Sequence, residues 1–353
     1  MNVLNGEPFI KYQLKSIYKF AHEIIIVEGA YKKFRHAAKK FRSKDKTVKI
    51  IKNFYDPKNK IKLIVKNEYY EDRMEMCNEF MKFISGDVIW QIDVDEFYDD
   101  KTHKIVNELF SKDKQLDQIS FKFYNYYKTL EWIINGYNES LIDVIRINRA
   151  VKGMRWINQR PPTLALKNKI ISPRKKINGN EMKNDGHLMH NLTMLFDEQV
   201  KNKFIYYSKK SRAVFSGHDR WYYDSWKNYE EKFSVSGFKN SVTYLTKRKH
   251  KITKILENFS NDIKKNIFKN FKFEKVDNIK ITISKKSYQK SVKLANKINS
   301  LRKRFIILRL FLSIILLYKI IVIAPKRDKK IMFMVLIINL IPKPVKSFIN
   351  FFR

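Results

Sequence analysis

Two aspartates one residue apart, Asp93 and Asp95 in Asp87-Val88-Ile89-Trp90-Gln91-Ile92-Asp93-Val94-Asp95-Glu96-Phe97, carry the clearest chemistry in this sequence. Trp90, Ile92 and Val94 alternate with Gln91, Asp93 and Asp95, which is the period of a β-strand, so both carboxylates are expected on one strand face. Gly86 closes the helical pattern before the strand, and Glu96, Asp99 and Asp100 follow where the apolar alternation stops. The acids therefore belong at the strand's C-terminal end. In open α/β sheets that edge receives ligands, and paired carboxylates on a basic chain suit a hard divalent cation with oxygen ligands. The competing expectation is a strand that ends in a solvated acidic turn, because an Asp-x-Asp triplet alone does not separate the two.

The elements that must position this strand are legible upstream of it. Asn5-Gly6-Glu7-Pro8 opens a helix whose Phe9, Tyr12, Leu14, Ile17 and Phe20 fall largely on one face. The continuous β-branched run Ile24-Ile25-Ile26-Val27, ending at Glu28, is of the kind buried on both faces of a parallel sheet. Val48 to Ile51 and Ile61 to Val65 read as strands, and a helix is expected from about Tyr70 to Ile84. Helix followed by buried strand is the rhythm of a doubly wound α/β fold.

That order, with Ile-Ile-Ile-Val-Glu-Gly-Ala at 24–30 and Gly-Asp-Val-Ile-Trp-Gln-Ile-Asp-Val-Asp-Glu-Phe at 86–97, resembles family 2 glycosyltransferases of the GT-A fold. The likeness covers roughly Asn5 to Phe97 and extends more loosely to about Lys249. Arg146-Ile147-Asn148-Arg149 with Arg155-Trp156 resembles the strand pair after the acidic motif. Gly186-His187-Leu188-Met189-His190-Asn191-Leu192, ahead of Gln199-Val200-Lys201, resembles a histidine-bearing segment. The family opens with a β-strand ending in a Pro-x-x-Asn-Glu-like loop, of which this sequence keeps Asn5-Gly6-Glu7 behind Met1 to Leu4. Either the first strand is missing or those four residues form a short one.

The resemblance implies a GT-A-like, Rossmann-like mixed sheet flanked by helices that transfers a sugar, with inversion, from a nucleotide-diphosphate donor to a glycan or lipid-linked acceptor. A divalent cation, Mn²⁺ or Mg²⁺, would stabilise the departing diphosphate. Asp95 is expected to touch the metal, Asp93 to reach it through water or hold the ribose, and His190 to complete the set, with His187 as its competitor. Glu28 is expected at the base or ribose, and Arg73 at the diphosphate as a bidentate donor. The base that deprotonates the acceptor is left open among Asp143, Glu181 and Asp185.

Composition frames these expectations. The chain has 353 residues, 44% of them hydrophobic, and a formal charge of +38, enough for a sizeable core and a basic surface. Such charge admits a second reading, a basic nucleic-acid-binding protein, but none of the common binding motifs is present. A third is an inactive, truncated glycosyltransferase homologue. Cys77 is the single cysteine, which excludes an internal disulfide or a cysteine metal cluster and favours a reducing compartment. Residues 1–245 are read as the catalytic domain, 246–304 as a basic helical linker, and 305–353 as an apolar helical tail. Phe305 to Ala324 carries Arg309 and Lys319, and Ile331 to Ile341 is too short to span a bilayer. The tail is therefore expected to lie on the anionic inner face of a membrane, which places the protein in the cytoplasm as a peripheral or monotopic enzyme.

Overall fold

The computed structural model describes residues 1–136, 143–159, 162–210, 226 and 243–273. Two units make up the chain; one comprises residues 1–133, 142–206 and 246–276, and the other residues 134–141, 207–245 and 277–353. The first holds every site discussed below. The apolar runs of 305–353 lie outside the described residues, so the expected tail does too. Among the described residues no helix is long and apolar enough to cross a membrane.

The first unit is a mixed α/β fold. It begins with three parallel strands, β1 (Asn2–Val3), β2 (Ile24–Glu28) and β3 (Ile61–Val65), in the order β1-β2-β3. Met1 to Leu4 therefore does supply a strand, a short one, with Val3 opposite Glu28. Helix α1 (Ile10–Ile17) precedes β2 and buries Ile10, Leu14 and Ile17. As the unbroken β-branched run requires, Ile26 and Val27 of β2 are fully buried.

Val48 to Ile51 is helical, within α2 (Thr47–Lys52), where β-branched residues had suggested a strand. The Asp45 carboxylate accepts from the Thr47 amide at 2.9 Å, which is the local bond that starts a helical turn. Thr47 and Ile51, one turn apart, are then the buried positions. A local side-chain-to-backbone bond overrides β propensity here.

Helix α3 (Arg73–Met81) starts at Asp72, whose side chain accepts from Glu75 N, and it buries Met76, Cys77 and Phe80. Strand β4 (Val88–Trp90) follows, then the two-residue β5 (Glu96–Phe97), helix α4 (Asp100–Lys112), β6 (Leu116–Phe121), β7 (Phe123–Tyr127) and β8 (Thr129–Gly136). Beyond these lie β9 (Val144–Arg149), the antiparallel ribbon β10 (Met154–Gln159), β11 (Pro162–Leu166) and β12 (Lys169–Ile170), and β13 (Lys175–Ile177). The chain continues with α5 (Gly179–Asn184), β14 (Met189–Met194), α6 (Asp197–Lys210) and α7 (Lys254–Lys264).

Strand β9 lies between β6 and β4 and is antiparallel to both, while β13 adds to β6 in parallel. In the next sheet β14 lies between β7, to which it is parallel, and β5, to which it is antiparallel. One apolar cluster joins Val3, Ile26, Ile92, Val106, Leu116 and Ile147, so the parallel strands and the β4–β9–β6 sheet share a core. Helix α7, in the stretch expected as a linker, contributes Leu256, Phe259 and Ile263 to a second cluster with Phe9, Tyr12 and Phe196. Its Phe259 ring stacks on Phe9 at 5.4 Å and meets Tyr12 edge-on at 5.3 Å.

Candidate functional site

The acidic stretch leaves the sheet earlier than its alternation suggests. Strand β4 ends at Trp90, and the Glu96 amide donates to the Asp93 carbonyl at 3.1 Å, folding Asp93 to Glu96 into a turn. Asp93 and Asp95 consequently point to different partners and do not share a strand face. The period-two alternation stops because a turn bond replaces the ladder beyond Gln91.

Asp93 meets two arginines. Arg73, the first residue of α3, places one guanidinium nitrogen 2.9 Å from Oδ1 and 3.1 Å from Oδ2. Arg146 on β9 reaches Oδ2 at 3.2 Å and also bonds the Glu96 carboxylate. Strand pairing puts it there, since Ile147 lies opposite Trp90 and the Gln91 amide donates to the Arg146 carbonyl at 2.8 Å. Arg146 and Glu96 are buried, with side chains 11% and 4% exposed, whereas Asp93 is 25% exposed. Burial works against ionisation of Asp93, but Arg73 and then Arg146 hold its carboxyl well below the usual carboxylate range. For Glu96 burial dominates, and Asp93 adds to it, so its carboxyl is pushed up to about 7 in spite of Arg146.

Asp95 turns towards α6. Its Oδ2 accepts from Gln199 Nε2 at 3.0 Å, and its backbone carbonyl accepts from the Leu192 amide at 2.8 Å. Lys203, one turn beyond Gln199, is the nearest attracting cation but spends its ammonium on Thr193 Oγ1 at 2.7 Å. Burial therefore raises the Asp95 carboxyl, partly offset by Lys203 and reinforced by Asp93. Of the two aspartates, Asp95 is the one with no arginine against it.

Glu28 ends β2 at the same edge. Val3 pairs with Glu28, and Gly6, just after β1, lies beside the Val94 side chain, so the end of β2 and the acidic turn are neighbours. Glu28 is fully buried; Oε1 accepts from the Ser43 amide at 2.7 Å, and Oε2 has no protein partner.

His190 sits on β14 opposite Phe97 and is 2% exposed. Its Nδ1 lies 2.7 Å from the Tyr126 hydroxyl, which also lies 2.9 Å from His250 Nε2, while His190 Nε2 is 3.9 Å from Asp99. His187 instead contacts Thr102 Oγ1 at 3.1 Å through Nδ1. Among the described residues no group of three His, Cys, Asp or Glu side chains could hold a metal ion, so Asp93, Asp95 and His190 are not assembled as the expected three-ligand set. Asp93 is neutralised by arginines and His190 is engaged with Tyr126.

Of the three acids considered as the base, two have carboxylates with structural tasks. Asp143 accepts from the Gly179 amide at 3.1 Å, Glu181 closes a capping box with Asn178, and Asp185 is the C-cap residue of α5. The sequence singled out Arg146 and Gln199 as members of resembled segments but gave no sign of the acids they bond. Their positions follow from strand register and from the packing of α6, which are long-range properties.

Three histidines set the acid side of stability. Burial lowers His103 to about 4, His190 to about 3 and His250 to about 4. A histidine held neutral contributes stability that is complete above its unfolded pKa of about 6.5 and is lost as pH falls towards the folded value. Glu96, raised, acts in the opposite sense, losing its contribution as pH rises through about 7. Asp95 and Asp99, also raised by burial, act with Glu96 but return to their ordinary range at lower pH, so the histidines dominate and the urea midpoint is expected to fall between about pH 7 and pH 5, by roughly 1–3 kcal/mol in stability. A midpoint that rises over that interval would show that the histidines are charged in the fold.

No protein-family model matches this chain, and no curated protein matches it in sequence.

Proposed function

We propose that this chain is a glycosyltransferase that takes its sugar from a nucleotide diphosphate and passes it to a glycan or lipid-linked acceptor, with a GT-A-like arrangement of its first unit. The observation that carries the reading is the acidic turn after β4, which holds Asp93 and Asp95 with the arginine at the start of α3 bonded to the first of them. The C-terminal end of a strand is where open α/β sheets bind nucleotides.

Each residue then has a task that its surroundings favour. Glu28, with one buried oxygen lacking a protein partner, accepts a hydrogen bond from the base or ribose. Arg73 is 24% exposed and lies at the positive end of α3, where an anionic diphosphate gains from both the guanidinium and the helix terminus. Asp93 fixes Arg73 and Arg146 in place and does not itself bind the donor. Asp95 is the carboxylate available to a divalent cation held jointly with the donor's phosphates. Such an ion supplies charge stabilisation to the leaving diphosphate. The buried Arg146–Glu96 pair keeps the turn from collapsing into like-charge repulsion.

Calorimetric titration of the purified protein with UDP-, GDP- and TDP-sugars, with and without Mn²⁺, tests this reading. Saturable binding of one nucleotide class, strengthened by Mn²⁺, is the expected result. A folded protein that binds none of them under either condition removes the proposal.

A further inference from the structure

A basic groove with an apolar floor lies on the first unit, outside the acidic site. Helix α1 buries one face and turns Lys11 and Lys15, four residues apart, outward; α2, packed beside it, presents Lys46 and Lys49. The cavity between them is about 690 Å³ and is floored by Ile50, Phe54 and Pro57. Tyr55, at its rim, is 82% exposed. Among the described residues none of these four lysines is in an ion pair, whereas nearby Lys19 is matched by Asp100 at 2.5 Å. A second cavity of about 280 Å³ shares Lys11 and Lys15 and carries Lys265 of the α7 end. The basic surface thus continues across α1.

We infer that this groove is a docking surface for the headgroup layer of an anionic lipid bilayer. Four unpaired ammonium groups match its negative surface potential, and an exposed tyrosine over an apolar floor matches the interfacial zone, where amphipathic rings settle. Single-stranded nucleic acid is the less suitable occupant. The five cations lining the groove, the four above and Lys19, are lysines, hydrated point charges without the planar fork that grips phosphates and stacks on bases. One exposed ring also does not make the succession of stacking platforms such strands use. The inference does not depend on the proposed activity or on the apolar segments of 305–353.

The test uses the full chain and two vesicle types, pure phosphatidylcholine and phosphatidylcholine mixed with phosphatidylglycerol. Cosedimentation is measured for the unmodified protein, for the quadruple variant Lys11→Gln, Lys15→Gln, Lys46→Gln and Lys49→Gln, and for Tyr55→Ser. Each lysine near an anionic surface is worth about fivefold in partitioning. The quadruple variant is therefore expected to lose at least about a hundredfold in affinity for the anionic vesicles, with an unchanged urea midpoint because these side chains are exposed. Tyr55→Ser should weaken binding to the same vesicles by a smaller factor. Equal binding of the quadruple variant and the unmodified protein overturns the inference. So does a loss of single-stranded RNA binding in that variant without loss of vesicle binding, which would assign the groove to nucleic acid.

Discussion

Replacing Arg146 with methionine is expected to lower folding stability by about 3–5 kcal/mol at neutral pH, the range found when one partner of a buried ion pair is removed. The size follows from burial. An exposed pair would cost about 0–1 kcal/mol, but Arg146 is 11% exposed and serves two acids, one of which, Glu96, is 4% exposed. Without the guanidinium, Glu96 keeps the desolvation cost that already pushes its carboxyl up to about 7, and Asp93 keeps Arg73 alone. The deficit should therefore shrink as pH is lowered and Glu96 takes up a proton, and the double change Arg146→Met with Glu96→Gln should recover part of it. Urea denaturation at neutral and mildly acidic pH reads both effects. A loss below about 1 kcal/mol would mean that the pair is solvated.

Asp95→Asn separates chemistry from stability. Under the proposed function the carboxylate is needed only when a cation and a diphosphate are present, so turnover of the nucleotide sugar should fall by about 10²–10³-fold, as when one electrostatic stabiliser is removed from a transition state. The fold should not suffer. Burial raises the Asp95 carboxyl, an asparagine relieves that penalty, and its amide oxygen still accepts from Gln199 Nε2. The urea midpoint of Asp95→Asn is thus expected at or above that of the unmodified protein, while the Mn²⁺ enhancement of nucleotide binding disappears. Retained turnover would take Asp95 out of the chemistry, and a large drop in midpoint would make it a structural acid.

The local part of this structure was readable in the sequence. The run Ile24 to Val27, the apolar face of α1 and the strand Ile61–Val65 are each decided by their own residues, since burial on two faces or one face leaves a characteristic spacing. Reading failed where a short-range polar bond outcompeted that spacing. Asp45 turned Thr47–Lys52 into a helix, and the Asp93–Glu96 turn stopped a strand that Ile92 and Val94 would have continued. The site was legible as a set of acids but not as a set of partners. Nothing near Asp93 in sequence announces Arg146, fifty-three residues on, because the contact depends on β9 lying antiparallel to β4. His190 is a comparable case. Its place on β14 between two other strands gives it Tyr126 and Asp99 as neighbours, and no spacing of histidines would reveal them.

The packing of α7 on α1 has a consequence for biosynthesis. Tyr12 bonds to Asp262, a partner 250 residues further along the chain, and Phe9 has Phe259 as its stacking neighbour. At translation rates of about 5–20 residues per second, the aromatic face of the first helix waits on the order of tens of seconds for the segment that covers it. Until then the nascent chain presents an uncovered oily strip, so it should engage ribosome-associated chaperones on α1 and release them only when α7 emerges.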